Sequence, residues 1–171
     1  MSTYFFNGRS DFPDITKKIK EHYQNKNLVW RKIHNIDVHL FQREFLIQFP
    51  KVDKLISDLG CNTFMLFRFH PNTCYGWHVD DTVRSYALNM LLEGFESSHT
   101  FVGNRIKNTE NVDFSDVREV VYEPNRFVLL DVRNYHTIYN LDNTRYLLSI
   151  SLPFEAGNYS EIQEYLTKNN F

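Results

Sequence analysis

The 171 residues carry a net charge of −2, and 42% of them are hydrophobic and 16% aromatic. That balance fits one globular domain with a sizeable core and excludes a disordered chain. No concentrated basic run marks a nucleic-acid surface, and no apolar run approaches the roughly 18 residues of a membrane span, so nucleic-acid and membrane partners are disfavoured.

The start, Met1 to Asn7, lacks a charged segment followed by an apolar one, as a secretory leader would require. Cys61 and Cys74 form no CxxC pair and no disulfide framework. Both features lead us to expect a soluble, cytoplasmic protein, a monomer or weak dimer.

Taken in order, Tyr4 to Phe6 suits a short strand. Asp11-Phe12-Pro13-Asp14 has the acidic cap and early proline of a helix start. Ile15, Ile19 and Tyr23 then recur at helical spacing to about Gln24. Leu28 to Ile33 suits a strand. Val38, Phe41, Phe45 and Phe49 repeat every three or four positions, which predicts a helix over 37–49 ending at Pro50. A further helix is expected over 51–59, stopped by Gly60. Residues 1–60 thus read as helical support with one or two strands.

After Gly60 the pattern becomes one of about eight short strand-like runs: 64–69, 74–78, 85–92, 100–102, 119–122, 126–130, 135–140 and 145–152. The polar stretch 104–116 between the fourth and fifth runs reads as a loop. Residues 159–168 suit a closing helix with Ile162 and Leu166 inward. Many short strands in sequence suggest a jelly roll over residues 61–154, with the N-terminal helices packed on one sheet. The fold class is α+β in composition around a β core.

His78 and Asp80 stand two apart, so in a strand they face one side. Of the remaining histidines, His136 is the best third ligand: it lies at the start of a distant strand-like run. Two histidines and one carboxylate with open coordination positions suit a non-haem Fe(II) oxygenase site. Arg145 follows His136 by nine positions, at the start of the last run. A buried guanidinium needs an anionic partner, and its planar fork matches a carboxylate. Strand alternation puts Arg145, Leu147 and Ser149 on one face.

The pattern His78-x-Asp80…His136…Arg145 on about eight strands resembles the Fe(II)/2-oxoglutarate-dependent dioxygenases, whose core is a double-stranded β-helix. The resemblance covers roughly residues 61–154. Within that superfamily, Phe69 to Asp80 is most similar to the prolyl-hydroxylase-type branch, including Tyr75 three residues before the first ligand. Phe69 replaces a tyrosine common there, and Asn72 stands near a turn where that branch often has glycine.

The resemblance implies Fe(II) held by His78, Asp80 and His136, with 2-oxoglutarate as cosubstrate, O2 as oxidant and ascorbate as a supporting reductant. Arg145 would meet the 5-carboxylate, with Ser149, Tyr75 or Asn89 donating a further hydrogen bond. Tyr75 has packing as its alternative role, and Asn89 and Ser149 have structural hydrogen bonding as theirs. Trp77, Asp81 and Arg84 would line the substrate mouth or form a solvated rim. The implied substrate is an amino-acid side chain, free or in a peptide, or another small molecule. Nucleobase-repair demethylases of the superfamily usually carry a second arginine six positions after the first, where this chain has Ser151. Residues 103–116 and those around Asp11 are candidate lids. Two other function classes stay open: a cupin-like metal enzyme that does not use 2-oxoglutarate, and a non-catalytic jelly-roll binding module.

Overall fold

The computed structural model describes residues 4–25, 27–80, 84–106 and 113–171. Its first part comprises β1 (Phe5–Asn7), α1 (Pro13–Asn25), β2 (Arg31–Ile33), β3 (Ile36–Leu40), α2 (Arg43–Leu46) and α3 (Pro50–Leu59). Then come β4 (Thr63–Phe69), β5 (Thr73–His78), β6 (Tyr86–Glu93), β7 (Ser98–Arg105) and β8 (Phe114–Glu119). The last part holds β9 (Val128–Asp131), β10 (Tyr135–Asn140), β11 (Arg145–Leu152) and α4 (Tyr159–Lys168). Among the described residues no helix is long and apolar enough to cross a membrane.

Two sheets face each other. The larger has seven strands in the order β1-β9-β6-β11-β4-β3-β2, the smaller four in the order β5-β10-β7-β8. Strands β4 to β11 are divided four to each sheet, and their pairing is antiparallel throughout. This is a double-stranded β-helix with extra edge strands on the larger sheet.

Burial of apolar side chains on both faces explains the two central strands. Along β6, Leu88, Met90 and Leu92 join the helices in one core cluster, whereas Ala87 and Leu91 pack with side chains between the sheets. Likewise Leu148, Ile150 and Leu152 of β11 meet the helices, and Leu147 turns inward. A strand covered on both sides reads as a continuous apolar run. The helical layer presents Ile15 and Ile19 of α1, Val52, Leu55, Ile56 and Leu59 of α3, and Ile162 and Leu166 of α4.

The helix ends follow local chemistry. Pro50 occupies the first turn of α3, and Gly60 closes it at φ 67° with its N–H on the Ile56 carbonyl. At the start of α4, Asn158 accepts from the Glu161 N–H while the Glu161 carboxylate accepts from the Asn158 N–H, which satisfies two otherwise unpaired donors.

Three sequence expectations need correction. The helix expected over 37–49 is instead strand β3 followed by the single turn α2. Ile36 and Val38 alternate onto the inner face, whereas Phe41, Phe45 and Phe49 pack with the helical layer. The three-to-four spacing therefore arose across a strand–helix junction. Residues 1–60 contribute three strands, all in the larger sheet. The polar stretch 104–116 holds the end of β7 and the start of β8, with residues 107–112 outside the described ones. Strand β8 pairs on one side only and is mostly exposed, so it has no apolar alternation to betray it.

Candidate metal centre

Strand pairing brings the two histidines together. Strands β5 and β10 run antiparallel with His78 opposite His136, and their ring centroids are 4.1 Å apart. Two residues on, the Asp80 N–H donates to the Val132 carbonyl at 2.9 Å, which turns the chain back toward the barrel. Asp80 Oδ1 lies 3.8 Å from His78 Nε2, and Oδ2 lies 3.9 Å from His136 Nε2. One potential ligand atom from each of the three falls within 4.8 Å of the others.

Each histidine is oriented from behind. His78 Nδ1 meets the Gly76 carbonyl at 2.7 Å, and His136 Nδ1 meets the Asn134 carbonyl at 3.0 Å. A carbonyl can only accept, so Nδ1 carries the proton on both rings. The Nε2 lone pairs are left free, which is the arrangement of metal-binding imidazoles. Burial, with the neighbouring His78, depresses the His136 pKa to about 4, so the ring is neutral near pH 7 as ligation requires. Burial works to raise the Asp80 carboxyl, but the Arg84 charge, helped by His136, holds it below its ordinary value. Two neutral imidazoles and one carboxylate fit a divalent metal such as iron.

One pH dependence follows. In metal-free protein His136 stays neutral when folded, whereas in the unfolded chain it titrates near 6.5. Between those values the unfolded state binds more protons, so stability should fall as pH drops from 6.5 toward about 4. Melting temperatures across that window check this, and His136→Gln should flatten the slope.

The three residues open onto a cavity of about 290 Å³ between the sheets. Met65, Phe67, Leu130, Val132, Ile138 and Leu147 form much of its apolar wall. Arg145 begins β11 and is 0% exposed. It is held between the rings of Phe69 and Tyr122, with centroids 5.5 and 5.4 Å from its guanidinium carbon. Its Nη2 donates to Thr100 Oγ1 at 2.8 Å; its Nε and Nη1 make no hydrogen bond of normal geometry among the described residues, although the Tyr122 hydroxyl, also unpaired, is near enough to favour the charge. Phe69, Tyr122 and Thr100 all line the cavity, so these two free donors lie just behind its wall. Burial lowers the Arg145 pKa, yet an arginine stays protonated in a protein.

The backbone beside Arg145 is tightly fitted. Gly94 has φ 92°, and a Cβ there would come within 3.1 Å of Arg145 Cα and Cβ. We expect Gly94→Ala to cost roughly 1–3 kcal/mol and to displace Arg145. Thermal unfolding measures the cost.

The other sequence candidates divide. Tyr75 lines the cavity and packs edge-on against His78 at 4.3 Å. Asn89 also lines it and is 5% exposed, with its Oδ1 unpartnered among the described residues. Ser149 lines it and accepts from Arg84 Nη1 at 2.9 Å. Trp77 is not among the cavity residues; it stacks on Phe114 of β8 at 4.2 Å. Asp81 lies outside the described residues. The residues around Asp11 are tied elsewhere: Asp11 pairs with Arg126, and Phe12 packs on Phe127 and Phe171.

Thr100, Tyr122 and the β2–β3 turn were missed as site residues. Ile33 and Ile36 line the cavity, and the His34 ring between them sits 5.9 Å from Tyr75. For Thr100 a signal existed. It alternates with Val102 on β7 and stands opposite Ile138, another cavity residue.

No family model matches the chain, and no curated protein matches it. Solved structures do. A prolyl-4-hydroxylase from Pseudomonas putida superposes with a TM-score of 0.60 at 11% identity, over 89% of this chain and 93% of that one. A prolyl hydroxylase from Trichoplax adhaerens, in complex with a hypoxia-inducible-factor oxygen-degradation-domain peptide, gives 0.61 at 14%, over 88% and 84%. An oxidoreductase of the 2-oxoglutarate–Fe(II) oxygenase family from Burkholderia pseudomallei gives 0.57 at 12%, over 91% and 87%. In fold, this chain is similar to the prolyl hydroxylases and other 2-oxoglutarate–Fe(II) oxygenases, as the His-x-Asp…His…Arg pattern led us to expect.

Proposed function

We propose that this chain is an Fe(II)- and 2-oxoglutarate-dependent oxygenase that hydroxylates an amino-acid side chain, free or in a peptide. One observation carries the reading: a His-Asp-His cluster lines a cavity, and a fully buried arginine with two unpartnered donors sits directly behind the Phe69, Thr100 and Tyr122 side of that cavity's wall. A metal site alone would not need that arginine. The similarity in fold to prolyl hydroxylases, one of them in complex with a peptide, supports the substrate class.

His78, Asp80 and His136 hold the metal. Bound iron would supply the oxidation with 2-oxoglutarate and dioxygen: one oxygen atom would enter a substrate C–H bond and the other the oxo acid, which loses carbon dioxide and becomes succinate. Arg145 receives the 5-carboxylate through its free Nε and Nη1 donors, and Thr100 keeps its fork oriented from the other side. Asn89 also lines the cavity, and its amide nitrogen, the end that can donate, would supply a further polar contact. The apolar wall excludes water from the reacting centre. Ile33, Ile36 and Tyr75 border the space left for substrate.

Incubation with Fe(II), ascorbate and labelled 2-oxoglutarate tests the reading. Labelled succinate should form slowly without substrate and faster with peptides that contain the target residue. No succinate under any of these conditions would overturn it.

A further inference from the structure

Arg84 comes from the stretch after the metal-site aspartate, yet its side chain spans the cavity floor. Its Nε and Nη2 donate to Asp80 Oδ2 at 3.2 and 2.8 Å, and its Nη1 donates to Ser149 Oγ and Ser151 Oγ at 2.9 and 3.2 Å. The residue is 9% exposed and lines the cavity. An arginine has five N–H donors, so these four bonds leave one on Nη2 unused.

The charges around the cavity are out of balance. Asp80 is the one carboxylate among the cavity residues. Arg84 pairs with it, and a second guanidinium, Arg145 at 0% exposure, lies behind the wall at Phe69, Thr100 and Tyr122 with no carboxylate partner among the described residues. If Arg84 served only Asp80, it would set a cation against the metal that the same carboxylate must hold. That opposition is relieved when an anionic ligand arrives beside the metal. The two arginines also serve different places. Arg84 is anchored at Ser149 and Ser151, whereas Arg145 lies four residues before Ser149 on the same strand, roughly 13 Å along it.

Resting on the function proposed above, we infer that Arg84 is a second anion-binding residue, dedicated to the metal-bound carboxylate end of the oxo acid. Arg145 takes the far carboxylate. Ser149 and Ser151 hold the Arg84 guanidinium in place, and Asp80 Oδ1 stays available to the metal while Oδ2 accepts from Arg84. Ser149 thereby acts through Arg84 in addition to any direct contact.

Ligands with one or both ends separate the two arginines. Calorimetry on the full chain saturated with Mn(II), with metal occupancy checked by electron paramagnetic resonance, would compare 2-oxoglutarate with oxalate, which lacks the far carboxylate. Arg84→Gln should weaken both ligands by a similar factor, about 10-fold or more, as expected for a lost hydrogen bond to a charged group. Arg145→Gln should weaken 2-oxoglutarate and leave oxalate within twofold. Oxalate binding to Arg84→Gln within twofold of wild type would overturn the inference. Should Arg84→Gln fail to fold or to hold Mn(II), the unmodified chain decides. In Zn(II)-loaded protein, oxalate should shift the Arg84 guanidinium nitrogen resonances, and unmoved resonances would overturn the inference. If the wild-type metal-loaded protein takes up neither ligand, the proposed function itself falls. If it takes up both and only the Arg84 effects are missing, the assignment of Arg84 alone falls.

Discussion

Replacing His136 with alanine should abolish tight Fe(II) or Mn(II) binding. The ring supplies one of three protein ligands, its proton is fixed on Nδ1 by the Asn134 carbonyl, and only 4% of the residue is exposed, so no neighbouring water easily replaces it. The loss should exceed the roughly 10- to 100-fold that removal of an outer partner costs. Asp80→Ala should have the same effect on metal and a second one on stability. It leaves Arg84, whose side chain is 11% exposed, without its carboxylate. Breaking a buried ion pair costs about 3–5 kcal/mol; Asp80 keeps 25% exposure, which puts the expected cost near or below about 3 kcal/mol. Metal titration followed by fluorescence, together with thermal unfolding of the metal-free variants, measures both. Unchanged metal affinity in His136→Ala would contradict the assignment.

Arg145→Met should stabilise the metal-free protein and destroy its affinity for 2-oxoglutarate. In the absence of ligand the guanidinium is fully buried with one hydrogen bond, to Thr100, and two groups unpaired. Exchanging an imperfectly paired buried charge for an apolar side chain of similar length is often stabilising by about 1–4 kcal/mol. Methionine also suits a slot between the Phe69 and Tyr122 rings. The same change removes the donors meant for the 5-carboxylate, so 2-oxoglutarate binding should weaken at least as much as two charge-assisted bonds imply, about 100-fold. A higher melting temperature with lost ligand binding is the signature of a residue kept for function. A lower melting temperature with unchanged ligand binding would make Arg145 a structural residue.

Much of this site was legible because strand geometry converts spacing into direction. Arg145, Leu147 and Ser149 alternate on the inner face of β11 as period two requires, whereas β5 ends at His78 and Asp80 is brought beside it by its bond to the Val132 carbonyl rather than by strand alternation. The runs of β6 and β11 were also readable, since both are mostly apolar and buried, whereas the run expected over 119–122 lies beyond the end of β8 at Glu119. What the sequence hid has three physical causes. Strand β8 is an exposed edge with Asp116, Arg118 and Glu119 on it, so burial leaves no pattern there. The segment Val38 to Phe49 changes from strand to helix partway, and its apolar positions serve two separate cores. The contacts of Arg145 with Thr100 and Tyr122, and of Arg84 with Ser151, join residues far apart in the chain. No local periodicity encodes such partners. His34 shows the same limit: its β2–β3 turn reaches Tyr75 at the cavity only because β3 pairs with β4.

His78, Asp80, His136 and Arg145 should act as a single site for a metal and an oxo acid together. Titrating 2-oxoglutarate into the protein with and without Mn(II) tests it most directly. One equivalent should bind in the presence of metal, and binding should be far weaker in its absence or in His78→Ala. Equal binding with and without Mn(II), or no binding to the metal-loaded protein, would contradict it.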